Sequence, residues 1–440
     1  MTKKIEFSFL FLLLILPITL ITGPAIPDIT ITLSGIFFLF YIYKKRIYST
    51  LLKDRFFIIS FFFWIYLLFV SILAENYYLS FRDSFIFIRL LLIPIFIIYW
   101  ASTENKFTER ILVVIFISII FVVFDTLFQF INYDSEFGFG KDLFGFTSNW
   151  YGRLTGPFGN ELIPGAYIAR FSFLGLIYLF LKFKNHKLHN LYAILYLSFL
   201  GLTIFATGER MALATYGMGL IFLLIFLKTK RIIFGTSIIF VLISIFLIQK
   251  IHPSYTDYKI IESTPYHLGL KVQKEFTCEN NIEKKCIKII NLQPTFSQIL
   301  INFNETPYGE IYRLSLKMFL DNKLFGIGLN NFTFLCNNNK TYKKLIKNYD
   351  CVSHPHNIHI QWLVETGLFG FILFQLYLIF VVSKIIINNI NQYSIIALVP
   401  ILIMFWPIMS TGSLLKNWNG VSSFLIIALC LIVSKIKKVN

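Results

Sequence analysis

ILVVIFISIIFVVFDTLFQFI, residues 111–131, is a run of 21 residues with a single charged side chain. As a helix it spans roughly 30 Å, the thickness of a bilayer's hydrocarbon core. Comparable apolar runs lie at 7–22, 29–43, 56–73, 84–101, 161–181, 190–206, 211–227, 232–249, 358–382, 394–412 and 421–434, twelve in all. The whole chain agrees: 56% of its 440 residues are hydrophobic, 14% are charged and the mean hydropathy is +0.70. A soluble domain carries about a quarter of its residues as charges. The 51 Phe and 23 Tyr suit lipid-facing helices and interfacial belts and would make a soluble surface aggregate. The expected fold is therefore all-α, a polytopic membrane protein of about twelve transmembrane helices.

The formal net charge of +17 does not point to nucleic acid, because the basic residues fall in short clusters between apolar runs. With the amino terminus in the cytoplasm, the inner connections hold Lys3, Lys4, Lys44 to Arg55, Lys106, Arg110, Lys182, Lys184, Lys187, Lys228, Lys230, Arg231, Lys384 and the carboxy-terminal lysines. The short outer ones hold Arg82, Lys141, Arg153, Arg210 and Lys416, so the positive-inside rule fixes the orientation. The first run has the basic start of a signal peptide. A retained helix is expected instead, because Pro24 and Pro27 stand where cleavage would fall and a second run follows at once.

This gives three segments: helices one to nine over 1–249, a large outer loop over 250–357, and helices ten to twelve over 358–440. In the loop, Ile311, Leu314, Leu316, Met318 and Phe319 alternate with polar residues, which predicts short amphipathic helices. Four of the five cysteines, Cys278, Cys286, Cys336 and Cys351, are also there. An oxidising compartment would permit two disulfides, with the nearest-neighbour pairing one of three possibilities; without a C-x-x-C spacing a zinc site is the weaker reading.

The most distinctive segment is Ser353-His-Pro-His-Asn-Ile-His-Ile-Gln-Trp-Leu-Val-Glu-Thr-Gly-Leu-Phe-Gly370, where the loop re-enters the tenth run. Three of the seven histidines are here, and imidazole is the side chain that takes up protons near neutral pH. His356 is placed to meet a substrate hydroxyl at the membrane surface. The blander readings are a helix cap and interface marker, or a metal site of His354, His356 and His359; no nearby carboxylate pattern completes the latter.

Arg153, Arg210 and Arg313 form a second constellation near outer helix ends or in the loop. A guanidinium stays charged and its planar fork matches phosphate oxygens, so such arginines suit a pyrophosphate. Contact with lipid head groups is the alternative. Arg89 and Arg170 fall within apolar runs, where a charge needs a partner, with Glu209 and Glu365 as candidates.

These motifs resemble the O-antigen ligase and polymerase superfamily of bacterial membrane glycosyltransferases. The likeness lies in Arg153-Leu-Thr-Gly-Pro-Phe-Gly-Asn160, in Gly208-Glu-Arg210, in Arg313 followed by Phe325-Gly-Ile-Gly-Leu-Asn-Asn-Phe332, and in His354-Pro-His-Asn357 leading to Gln361 and Glu365-Thr-Gly-Leu-Phe-Gly370. One departure is Glu209, where the family often has a small residue.

The resemblance implies a GT-C-like enzyme of the bacterial inner membrane with its active site facing the periplasm. It would move a glycan from undecaprenyl diphosphate to an acceptor hydroxyl on lipid A-core, with inversion and without metal or other cofactor. His356 would be the base, Arg210 and Arg313 would join it in catalysis, and Arg153, Asn160, His354, Asn357, Gln361 and Glu365 would bind substrate. Partners are the lipid-linked glycan, the acceptor and membrane lipids, and nucleic acid is not among them. Neither a P-loop nor a Rossmann fingerprint is present, so the energy would come from the lipid donor. A polymerase or a protein O-oligosaccharyltransferase of the same superfamily is the nearest alternative. A transporter is the distant one, disfavoured by the missing inverted repeat and by functional charges on one side of the membrane.

Overall fold

A computed structural model describes residues 2–104, 106–134, 138–150, 152–263, 270–278, 281–292, 294–347, 350–388 and 390–436. Each apolar run is a helix: α1 (Thr2–Thr19), α2 (Ala25–Lys45), α3 (Arg55–Ile72), α4 (Tyr77–Thr103), α5 (Phe107–Ile131), α6 (Pro164–Lys182), α7 (His189–Ala206), α8 (Arg210–Phe226) and α9 (Arg231–Ile251). After the long loop, with its helices α10 (Pro307–Asp321) and α11 (Phe332–Asn338), come α12 (Ile358–Asn388), α13 (Gln392–Met404) and α14 (Asn417–Val433). Among the described residues, eight helices are long and apolar enough to cross a membrane and four shorter ones are apolar. The chain is an all-α, multi-pass membrane protein.

The loop departs from the expectation of helices throughout. It begins with a three-stranded antiparallel meander, β1 (Lys259–Ser263), β2 (Leu270–Cys278) and β3 (Asn281–Leu292), in the order β1-β2-β3. Val272 stands opposite both Ile260 and Ile290, and it is buried while Ile287 and Ile289 on the other face of β3 are exposed. That two-residue alternation is a strand period, overlooked beside the stronger helical signal downstream. From Phe296 onward the loop is helical as expected, and α10 buries Ile311, Leu314 and Met318 while Leu316 faces out. Thr306 Oγ1 accepts the Gly309 N–H at 3.1 Å and Pro307 opens the helix, which satisfies its first turn. Cys336 and Cys351 are joined across 15 residues. The side chains of Cys278 and Cys286 lie outside the described residues.

The chain divides into two compact units interleaved in sequence: residues 1–118, 173–181 and 311–440, and residues 119–172 and 182–310. In the first, α14 is almost wholly buried, and α12 is anchored by Trp362, whose ring lies 5.2 Å from Phe63, 5.7 Å from Phe87 and 5.0 Å from Phe374. Such aromatic pairs each add about 1 kcal/mol beyond their buried area. Arg89 pairs with Asp28 at 2.6 Å and donates to Asn417 Oδ1 at 3.1 Å, so neither expected carboxylate is its partner. The sequence distance between α2 and α4 hid that pairing. In the second unit α7, α8 and α9 pack on one another, with the buried Tyr216 hydroxyl donating to Leu197 O at 2.7 Å.

Candidate functional site

In the first unit the site grows from a break in a helix. α12 is interrupted at Gly367, whose φ of 67° and ψ of −171° only glycine adopts readily. A break inside a membrane-spanning helix frees carbonyl and N–H groups, which must find partners where lipid supplies none. Here they do. Val364 O and Glu365 O accept from Ile327 N at 3.0 Å and Gly328 N at 2.9 Å, and Thr366 O accepts from the Tyr66 hydroxyl at 2.7 Å. Beyond the break, Leu368 N donates to Lys323 O at 2.8 Å and Phe369 N to Leu324 O at 3.3 Å. A Cβ on Gly367 would strike the backbone of Leu324 and Phe325, and one on Gly326 the backbone of Val364, Glu365 and Gly367. The Gly326-Ile-Gly328 pattern is thus a backbone clasp on α12.

The clasp fixes the short helical segment that carries the histidine motif. Asn357 caps it: Oδ1 accepts from Ile360 N at 3.0 Å, while Nδ2 donates to Pro407 O at 2.7 Å and Met409 O at 3.2 Å. His356, just before the cap, has a left-handed backbone with φ of 55°, and its carbonyl accepts from Thr411 N at 2.8 Å. A non-glycine residue held there is strained, and the tethers on both sides over-determine it. Its ring lies 4.3 Å from that of His354, centroid to centroid.

Burial, the proximity of His356 and the Lys416 charge push His354 down to about 3, outweighing the nearby Thr411 carbonyl, which favours the charged form; burial also holds His356 below the usual histidine range. Both are neutral at physiological pH. His354 Nδ1 meets Ser353 Oγ at 2.8 Å, leaving Nε2 buried with no hydrogen-bond partner. His359 differs, because its Nδ1 accepts from Gln375 Nε2 at 2.9 Å and its Nε2 then donates to Phe405 O at 2.9 Å. With both nitrogens engaged in packing, it has none to offer a metal.

One turn on, Gln361 Nε2 donates to Ser413 Oγ at 2.7 Å and to Glu365 Oε2 at 3.1 Å. Gln361 Oε1 and Glu365 Oε1 are buried with no hydrogen-bond partner. Buried acceptors of this kind are costly unless something donates to them. Arg313 lies on α10 and is exposed.

The Pro407-to-Ser413 stretch that holds this segment was missed by sequence reasoning, which carried the eleventh run through to 412. The helix ends at Met404, and Pro407 with the polar Ser410-Thr-Gly-Ser413 is the signal that marks the loop.

The second unit holds Arg153, Asn160, Arg170, Glu209 and Arg210. Glu209 caps α6 from a distance, with Oε1 accepting from Gly165 N at 2.7 Å and Oε2 from Ala166 N at 3.1 Å. Burial raises its carboxyl to about 7, against the pull of those N–H groups and of the Arg153 and Arg170 charges. Arg170 therefore does have the carboxylate neighbour expected for it. Arg153 Nε is buried with no hydrogen-bond partner, and the Arg210 guanidinium donates to Pro294 O. Asn160 is exposed, its Oδ1 accepting from Asn149 Nδ2 at 3.1 Å. The structure thus groups the expected residues in two sets: His354, His356, Asn357, Gln361 and Glu365 in one, Arg153 and Arg210 in the other.

Residues 192–375 match the family model of the O-antigen ligases. Arg210, Arg313 and the whole histidine segment lie inside the match, and Arg153 and Asn160 precede it. A search of curated proteins finds no match. Over these residues the chain is similar to the O-antigen ligases, and the match supports membership of their superfamily.

Proposed function

We propose that the chain is a glycosyltransferase of the ligase type, which moves a glycan from undecaprenyl diphosphate to a hydroxyl of lipid A-core at the periplasmic face of the inner membrane. The observation that carries this reading is His356, a neutral imidazole held in a strained backbone conformation at the head of a clasped helix. A neutral imidazole can accept the proton of the attacking hydroxyl as the new glycosidic bond forms, and a protonated one cannot.

Attack by that oxygen on the anomeric carbon expels the diphosphate and inverts the carbon. The leaving group gains negative charge, which guanidinium groups stabilise; Arg210 and Arg313 take that role, with Arg153 holding the diphosphate. The buried acceptors Gln361 Oε1 and Glu365 Oε1 suit a hydroxylated ligand, which donates hydrogen bonds. Asn357 acts by fixing the segment, since both ends of its amide bind the protein's own backbone. No residue in this scheme requires a metal.

The test is a glycan-attachment assay in a deletion strain complemented by wild type, His356→Ala or Arg210→Ala at matched expression. Loss of lipopolysaccharide-attached glycan with accumulation of long carrier-linked chains is the expected result. Accumulation of single repeats would instead identify a polymerase, and wild-type behaviour of both variants would refute the site.

A further inference from the structure

The turn that joins α7 to α8, Thr207-Gly208-Glu209, carries a feature the diphosphate reading leaves unexplained: a carboxylate among arginines. Gly208 has φ of 73°, and a Cβ there would come within 2.6 Å of Gly152 O and 2.9 Å of Arg153 Cδ. Its absence lets the 152–154 segment lie directly on the turn, where Leu154 N donates to Thr207 O at 3.2 Å. The Arg153 side chain thereby crosses the turn beside Glu209, close enough to Arg210 for the two positive charges to disfavour each other. Arg170, buried in α6, approaches the same carboxylate from the other side.

We propose that Glu209 is a positioning residue for the donor's diphosphate, holding the first turn of α6 and the flanking arginines in place and taking up a proton when the diphosphate binds. This rests on the reading that Arg153 and Arg210 hold the diphosphate. Both carboxylate oxygens already accept backbone N–H groups, at 2.7 and 3.1 Å, so Glu209 acts through its neighbours and not on the reacting atoms.

The charged groups facing it are Arg153 from the preceding segment, Arg170 of α6 and the adjacent Arg210 of α8. With Glu209 ionised the cluster carries two net positive charges; with Glu209 neutral it carries three. A diphosphate diester brings two negative charges to the same arginines, draws off the field that keeps Glu209 ionised, and raises its proton affinity. A carboxyl already raised to about 7 then protonates on binding. By linkage, donor affinity falls as pH rises above that value, because ionised Glu209 must first take up its proton. A cap in this position thus makes the local charge follow the occupancy of the site.

The experiment measures binding of farnesyl-diphosphoryl-N-acetylglucosamine, whose phosphates are diesters that do not titrate near neutrality, to the purified full chain from pH 6 to 8.5. Wild-type affinity is expected to fall above pH 7 with a limiting slope of about tenfold per pH unit, the signature of one linked proton. Glu209→Gln, which keeps one acceptor and cannot ionise, is expected to bind with no such slope and more tightly than wild type at pH 8.

Calorimetry of the wild type alone, in buffers of different ionisation enthalpy, should show about three quarters of a proton taken up at pH 7.5, rising toward one at pH 8.5, so the test stands even if the variant folds poorly. Parallel pH profiles for wild type and Glu209→Gln, or no proton uptake by wild type, would overturn the proposal. Unchanged binding by Arg153→Ala and Arg210→Ala would overturn the diphosphate reading itself, an outcome distinct from a lost pH slope.

Discussion

The histidine segment and the arginine turn solve opposite electrostatic problems. Around His354 and His356 the protein removes charge: burial keeps both imidazoles neutral, and backbone groups from Thr411, Pro407 and Met409 hold them by position. Around Arg153, Arg170 and Arg210 it gathers charge, and a single carboxylate moderates it. A base must be neutral to accept a proton, whereas a leaving diphosphate needs cations. The difference teaches that the first region depends on backbone geometry and the second on the balance of side-chain charge. Substitutions should therefore fail in different ways in the two places.

The largest effect is expected at His356. Its replacement by Ala or Gln should lower the rate of glycan transfer by about a thousandfold, the size of a lost general base, while protein level and melting temperature stay near wild type. Next is Gly367→Ala. The new Cβ meets the Leu324 and Phe325 backbone and the φ of 67° is strained for alanine, so the clasp should loosen at a cost of about 3 kcal/mol. Thermal denaturation in detergent would detect that, with activity lost alongside stability, unlike His356→Ala.

In the arginine region the response should be graded. Arg153→Ala removes one charged contact worth about 1.5–3 kcal/mol, so the KM for the lipid donor should rise about tenfold to a hundredfold. The rate at saturating donor should change less, and steady-state kinetics separate the two quantities.

The smallest effect concerns pH. His354 titrates at about 3 when folded and near 6.5 when unfolded, so its contribution to stability is complete above pH 6.5 and is lost as the pH falls toward 3. Between pH 6.5 and 5 the loss should be about 2 kcal/mol, and His354→Asn should flatten that part of the melting curve against pH.

Much of this molecule is legible in its sequence because lipid imposes a simple rule. Every apolar run became a helix, and the pattern at Ile311, Leu314 and Met318 gave the buried face of α10. The histidine motif was visible because three imidazoles stand close together at a membrane re-entry. What stayed hidden was contact between distant segments. Nothing local says that Asp28 meets Arg89, that Gly326 touches Gly367 backbone to backbone, or that Glu209 caps a helix more than forty residues earlier. The β-meander was lost for another reason: its strands are rich in charged residues, and the period of two is weak beside long apolar helices.

The central claim, that a neutral His356 accepts the acceptor's proton, is tested most directly by the transfer rate of the purified protein with saturating lipid donor and acceptor across pH. Wild type is expected to lose activity as acid protonates the imidazole and to be level near and above neutrality, whereas His356→Ala is expected to be about a thousandfold slower near and above neutrality and to lack the acid limb. A His356→Ala protein that transfers glycan at the wild-type rate with the wild-type pH profile would contradict it.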